Sequence, residues 1–270
     1  MEPQIEQRVF WQHSLKYIHE WIPIRHYDSR IAPFFGEKLL SYYDFVSSHY
    51  YPDSLFNRTD ILRCSELKIK NLPIHMQKKI SLQLIQKKFI QAITSKTPPS
   101  KIPTSISKLS QYAALWYEIG MNQQKNAGHE LVLAKILKLN PAALSIEIPV
   151  WTNTVSHSPA KVLSSPFLCH ANCLMTGHID LLLFDENDGG LIVADYKPEN
   201  RFLSSLPQII TYGLMMRQIL KITQVKCVSF SREAVWIYDP QILFEVLLNY
   251  IKEFTMVDFP WQKIEMRNNP

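Results

Sequence analysis

Between Ile179 and Phe184 the chain is apolar at every position except Asp180. The run stops at Asp185-Glu186-Asn187-Asp188-Gly189-Gly190, a polar, glycine-rich stretch with the composition of a hairpin turn. A second apolar run, Leu191 to Ala194, ends in Asp195-Tyr196-Lys197, and Pro198 closes it. The pattern predicts two strands joined by a hairpin. Side chains alternate faces along a strand, so Asp195 and Lys197 share a face with Leu191 and Val193. The hairpin brings Asp180 beside them. A carboxylate on an apolar strand is costly unless a cation pairs with it. Two such carboxylates and a lysine are what a hard divalent cation and an activated water require. Asp-x-Lys alone is a chance-level signal, but Gly177-x-x-Asp180 before a hairpin that ends in Asp195-x-Lys197 is far rarer.

Helical spacing returns downstream, where Leu206, Ile209, Ile210, Gly213, Leu214 and Ile219 predict a helix starting near Ser204 or Ser205. Gln208 and Tyr212 are four apart and project from one face of it. Residues 226–231 then read as a strand, parallel to the Asp195 strand by the β-helix-β crossover rule. Ala234 to Tyr238 is a further short strand and 241–254 a closing helix. Upstream, residues 110–128 and 128–137 are helical in pattern, with His129 in a first turn, where a lone histidine is ordinarily structural. Ser145 to Trp151 reads as a strand carrying one carboxylate, Glu147.

Taken in order, these are a helical His129, Glu147 on a strand, Gly177-x-x-Asp180, Asp195-x-Lys197 and Gln208-x-x-x-Tyr212 on the next helix. This order resembles the PD-(D/E)XK nuclease superfamily, in its RecB-type and lambda-exonuclease-like branch. The resemblance runs from Gly128 to about Ser231; residues 1–108 carry none of its motifs. It implies that Asp180 and Asp195 hold a Mg2+ or Mn2+ ion, with the Tyr196 carbonyl as a further oxygen ligand. His129 joins that metal shell, and Glu147 stands where an acidic residue approaches it. Lys197 orients or deprotonates the attacking water. Gln208 and Tyr212 touch nucleic acid or brace the catalytic strand. The implied fold is α/β: a restriction-endonuclease-like core, a central mixed sheet flanked by helices. DNA is the favoured partner. A ribonuclease on the same site, or a non-catalytic nucleic-acid-binding protein that keeps the fold, is the alternative.

The chemistry agrees with these residue types independently of any family. Oxygen ligands suit magnesium, which keeps several waters, and an imidazole in the shell shifts tolerance toward manganese. Relatives with an iron-sulfur cluster place one cysteine before the core and three after it. Here Cys64, Cys169, Cys173 and Cys227 do not follow that pattern, and no such cluster is expected. Cys169, His170, Cys173 and His178 are zinc-capable ligands, but their spacing is irregular. Unclustered cysteines and a first segment without the form of an export signal read as an intracellular protein with reduced thiols.

Charge changes the picture of the first third. The chain's net charge is +5, yet residues 61–110 hold ten cations and one anion, so they carry +9 and the remainder −4. Within that segment residues 76–90 read as an amphipathic helix with Lys78, Lys79, Lys87 and Lys88 on its polar side. A charge run is usually a solvated face; attached to a nuclease it becomes a candidate phosphate-tracking surface. A Pro/Ser-rich stretch at 97–108 reads as a linker. The expected organisation is thus a mostly helical, basic N-terminal domain at 1–96 and a core at 109–270. No apolar run reaches the ~20 residues of a membrane span, and nothing in the sequence specifies a protein partner or an oligomer.

Overall fold

The computed structural model describes residues 3–12, 14–48, 51–68, 78, 82, 90–94, 103–122, 129–151, 175–198 and 202–241. They form one mixed sheet with helices packed on it, an α/β architecture. Its strands are β1 (Glu6–Gln12), β2 (Leu15–Trp21), β3 (Leu62–Arg63), β4 (Ile90–Thr94), β5 (Ala143–Trp151), β6 (Met175–Phe184), β7 (Leu191–Tyr196), β8 (Val225–Phe230) and β9 (Ala234–Tyr238). The order across the sheet is β1-β2-β5-β6-β7-β8-β9-β4, with β3 beside the start of β6. β7 and β8 run parallel, as do β3 and β6, and the other neighbours are antiparallel. The long helices are α1 (Glu37–Ser47), α2 (Leu109–Asn122), α3 (His129–Leu139) and α4 (Phe202–Leu220).

Every residue of β7 is buried. A strand covered on both faces reads as a continuous apolar run, which is why Leu191 to Ala194 shows no alternation. α4 makes the crossover from β7 to the parallel β8 and packs on both. α3 lies against β5 and β6, with α2 packed on α3. The strands and helices expected between 128 and 238 all form. No helix among the described residues is long and apolar enough to cross a membrane.

The first third departs from expectation. Its opening elements are strands, and they belong to the same sheet rather than to a separate helical domain. β1 and β2 form a hairpin, and β2 joins β5 by pairing Glu20 with Ile146 and Trp21 with Ser145. The physical reason is alternation: Val9 and Trp11 are 41% and 57% exposed, while Phe10 and Gln12 between and after them are 2% and 5%. At the opposite edge β4 pairs with β9, so residues on both sides of the expected 97–108 linker share one sheet. The end of that stretch is itself packed: Thr104–Ser107 is a helical turn with Ser105 and Ile106 buried, and Asn140 Nδ2 donates to the Ser105 carbonyl at 2.9 Å. Of the basic amphipathic segment, Lys78 and Leu82 are helical and exposed. Lys79, Lys87 and Lys88 lie outside the described residues, as do Cys169, His170, Cys173 and all but Gln241 of the closing helix.

Side-chain hydrogen bonds tie this first third to the core. Arg25 donates to the carbonyls of Leu137 (2.7 Å) at the end of α3, of Asn140 (2.9 Å) just after it and of Ala143 (2.6 Å) at the start of β5. From α1, Tyr42 Oη donates to the Pro149 carbonyl at 2.8 Å, and Tyr43 Oη is hydrogen-bonded to Ser145 Oγ on β5. His19 and His26 are fully buried nearby. Their Nδ1 atoms lie 2.8 and 3.0 Å from the carbonyls of Ile146 and Ile22, which can only accept, so Nδ1 carries the proton and each buried Nε2 is unpartnered.

Burial pushes both imidazoles down to about 4. In the unfolded chain they titrate near 6.5, so between these values the unfolded state binds more protons. Their contribution to stability is complete above pH 6.5 and is lost as pH falls toward 4, on the order of 3 kcal/mol per ring at the limit. Ring-nitrogen NMR should find both neutral at pH 6, with the urea midpoint falling below pH 6.5. A ring that titrates near 6.5 would refute its placement.

Candidate active site

Strand register assembles the site. Ile146 pairs with Leu181 and Ile148 with Ile179, which sets Glu147 opposite Asp180. The last pair between β6 and β7 is Leu181 with Ala194, and one further step sets Asp180 opposite Asp195. Three carboxylates therefore stand in a row across three adjacent strands, whose spacing is ~4.8 Å. The row lies where the β6–β7 ladder stops. There the Tyr196 N–H donates to Asp180 Oδ2 at 2.8 Å, so the aspartate replaces a ladder carbonyl. Lys197 Nζ sits 2.9 Å from Asp195 Oδ1 and 2.8 Å from Oδ2. His129, the first residue of α3, brings Nδ1 to 3.4 Å from Asp180 Oδ2, and its ring lies 5.0 Å from that of Tyr196. On α4 the Gln208 amide donates to Tyr212 Oη at 3.4 Å.

Three neighbouring buried carboxyls cannot all hold their charge, and the site divides it unequally. Burial pushes Glu147 up to about 8, with the Asp180 charge adding to the effect. Burial also raises Asp195, to about 6, against the pull of Lys197. Asp180 is buried too, but His129, Lys197 and the Tyr196 N–H outweigh this and hold it below the usual carboxylate range. Burial opposes the charge on Lys197, yet Asp195 and Asp180 overcome it and keep the ammonium protonated. His129 is likewise raised by Asp180 in spite of burial. Glu147 also has φ +50°, a left-handed backbone that non-glycine residues rarely adopt and that concentrates at functional sites.

The donor set fits a hard divalent cation. Lys197 Nζ lies against both oxygens of Asp195 but donates its hydrogen bond to Oδ1, so Oδ2 takes part only in the ion pair. Protonation raised on Glu147 and Asp195 marks a place short of positive charge. No three His, Cys, Asp or Glu side chains among the described residues gather into a ready-made cage. Magnesium does not ask for one: one or two carboxylates and retained waters suffice. Asp180 and Asp195 would supply the carboxylates and the Tyr196 carbonyl a further oxygen.

A cleft of about 260 Å³ opens beside the row, lined by His129, Glu147, Asp180, Gln208 and Tyr212. Asp195 and Lys197 are not among its lining residues, and Asp195 is wholly buried. Its opposite wall was not foreseen: Gln12 and Tyr17 from the hairpin, Arg63 and Ser65 from β3 and the turn after it, and His178 of β6. For Tyr17 the only available signal was strand alternation; for Arg63 it was membership of the basic 61–110 segment, which did not place it in a cleft.

Gly177 faces Tyr212 so closely that a Cβ there would lie 2.6 Å from both Cε1 and Oη of the phenol. Tyr212 is itself buried and cannot step aside freely. Gly177→Ala should cost ~1–3 kcal/mol of stability through overpacking and displace Tyr212 from the cleft. Chemical denaturation measures this, and an unchanged midpoint would contradict the close approach. No protein-family model matches the chain, and no curated protein matches it in sequence.

Proposed function

We propose that the chain is a divalent-metal-dependent nuclease of the PD-(D/E)XK type, acting on DNA inside the cell. The observation that carries this reading is convergence. His129, Glu147, Asp180, Asp195, Lys197, Gln208 and Tyr212 come from five separate elements and meet at one end of the sheet. Those elements follow the order helix, strand, strand, strand, helix, strand from His129 to Phe230, in a mixed sheet flanked by helices, which supports a restriction-endonuclease-like core.

A bound magnesium or manganese ion would lower the pKa of a coordinated water and offset the charge that develops at phosphorus. Asp180 and Asp195 would hold such an ion from adjacent strands. The Tyr196 N–H and His129 fix the orientation of Asp180. Lys197, anchored on Asp195, directs its remaining protons toward water and phosphate oxygen. Gln208 and Tyr212 brace the cleft from α4. The intact Asp180, Asp195 and Lys197 set favours an enzyme over a binding protein that merely keeps the fold.

The test is a cleavage assay on linear and circular, single- and double-stranded DNA and RNA, with magnesium, manganese or chelator. Metal-dependent cleavage of DNA is the expected result. Cleavage of RNA alone would move the assignment to a ribonuclease, and no cleavage of any substrate with either metal would refute the enzyme.

A further inference from the structure

We infer that the cleft beside the carboxylate row receives an unpaired nucleotide of a single strand, its base against the Tyr17 ring and its phosphate against Arg63. The inference rests on the nuclease reading for the kind of polymer, and the cleft supplies the strandedness. Three observations converge on it.

The first is size. About 260 Å³ lies just below the ~300 Å³ at which pockets begin to bury drug-sized ligands, which is room for about one nucleotide. The second is a prepared aromatic surface. Tyr17 and His178 stack with centroids 4.1 Å apart and planes within 2°, and both line the cleft. Tyr17 is half-buried, and His178 Nε2 is buried without a hydrogen-bond partner. A base can extend such a stack only when its own faces are open, as in single strands and not inside a duplex.

The third is an unmatched cation. Arg63 is fixed by the pairing of β3 with β6, opposite Thr176, and is only partly exposed. It makes no hydrogen bond or ion pair with a described residue, although Glu147 and Asp180 line the same cleft. A half-buried guanidinium without an anion among the described residues is poised for one, and its planar fork matches phosphate. Tyr17 and Arg63 come from different parts of the chain, and neither is held there by the needs of the carboxylate row.

Binding of a fluorescein-labelled oligothymidylate, and of a blunt hairpin duplex with the same number of nucleotides, should be followed by anisotropy without divalent metal, so that nothing is cleaved. The single strand should bind ~5- to ~150-fold tighter, the range that stacking on one aromatic residue gives per base. Tyr17→Leu, which keeps the apolar bulk of the hairpin, should remove most of that preference, while Tyr17→Phe retains it. Arg63→Gln should weaken the single strand and make log K against log[salt] shallower by ~0.7, the value for one phosphate contact. Equal binding of duplex and single strand, or wild-type binding by Tyr17→Leu, would overturn the inference. The two readings fail separately. The binding pattern without cleavage upholds the cleft and removes the nuclease, whereas equal binding with metal-dependent cleavage does the reverse.

Discussion

Asp195→Ala or Asp180→Ala should lower cleavage by at least ~10³-fold while the protein still folds. Each removes a carboxylate that would stabilise several kcal/mol of developing charge through the metal, and every 1.36 kcal/mol is a factor of ten in rate. Neither loss is made good by a neighbour. Glu147 stands beside Asp180 but at the other end of the row from Asp195, and burial favours its protonated form; the ion pair of His129 is with Asp180. The fold should tolerate the change because burial already opposes the charge on Asp195. Alanine also removes repulsion within the row. The cost falls on partners: Lys197 loses its anion, but its side chain is 22% exposed and can turn to solvent. Asp180→Ala leaves the Tyr196 N–H unsatisfied and should be the less stable of the two. Cleavage rate and thermal unfolding on one preparation decide the matter. Wild-type cleavage by either variant would remove it from the metal site, and unfolding of both would make the row structural.

The second large effect separates chemistry from binding. Lys197→Ala leaves Asp180, Asp195 and the Tyr196 carbonyl in place, so metal binding should persist and can tighten as a positive charge disappears. DNA binding with calcium should change little, since one cation among many is lost. Turnover with magnesium should still fall by ~10²–10³, the usual cost of removing one preorganised charge-stabilising group. Lys197→Arg should rescue poorly. A guanidinium is larger and planar, does not give up its proton at any usable pH, and would have to fit where Lys197 Nζ now lies 2.8–2.9 Å from both oxygens of a wholly buried carboxylate. Binding and cleavage lost together would make Lys197 a structural counter-ion.

Much of the site was legible because its strands obey simple periodicity. Asp180 interrupts an apolar run, Asp195 and Lys197 end another, and a period of two places them without further information. The register that aligns Glu147 with them was not readable, because it depends on pairing between strands separated by residues 152–174 and on an irregularity between Ala143 and Ser145. The opening hairpin was missed for a different reason. Gln12-His13-Ser14-Leu15 has none of the Asn-Gly or Asp-Gly signals that mark a tight turn. Arg63 was beyond reach, since a two-residue strand has no period and owes its place to its parallel neighbour β6. β4 likewise begins where the basic helical pattern ends, and its five residues are too few to overrule that pattern.

The attachment of β1 and β2 also separates admission from chemistry. The hairpin is paired along its whole length to itself, yet its backbone ladder with β5 is confined to Glu20 and Trp21, near its base. Towards the tip that ladder stops, and the cleft there is lined by Gln12 and Tyr17 of the hairpin and by Glu147 and Asp180 of the acidic strands. One wall of that cleft thus belongs to the hairpin, whereas the carboxylates sit on β5, β6 and β7. Exposed positions near its tip, such as Trp11, Leu15 and Lys16, can therefore change which polymer fits while the groups that would cut it keep their spacing.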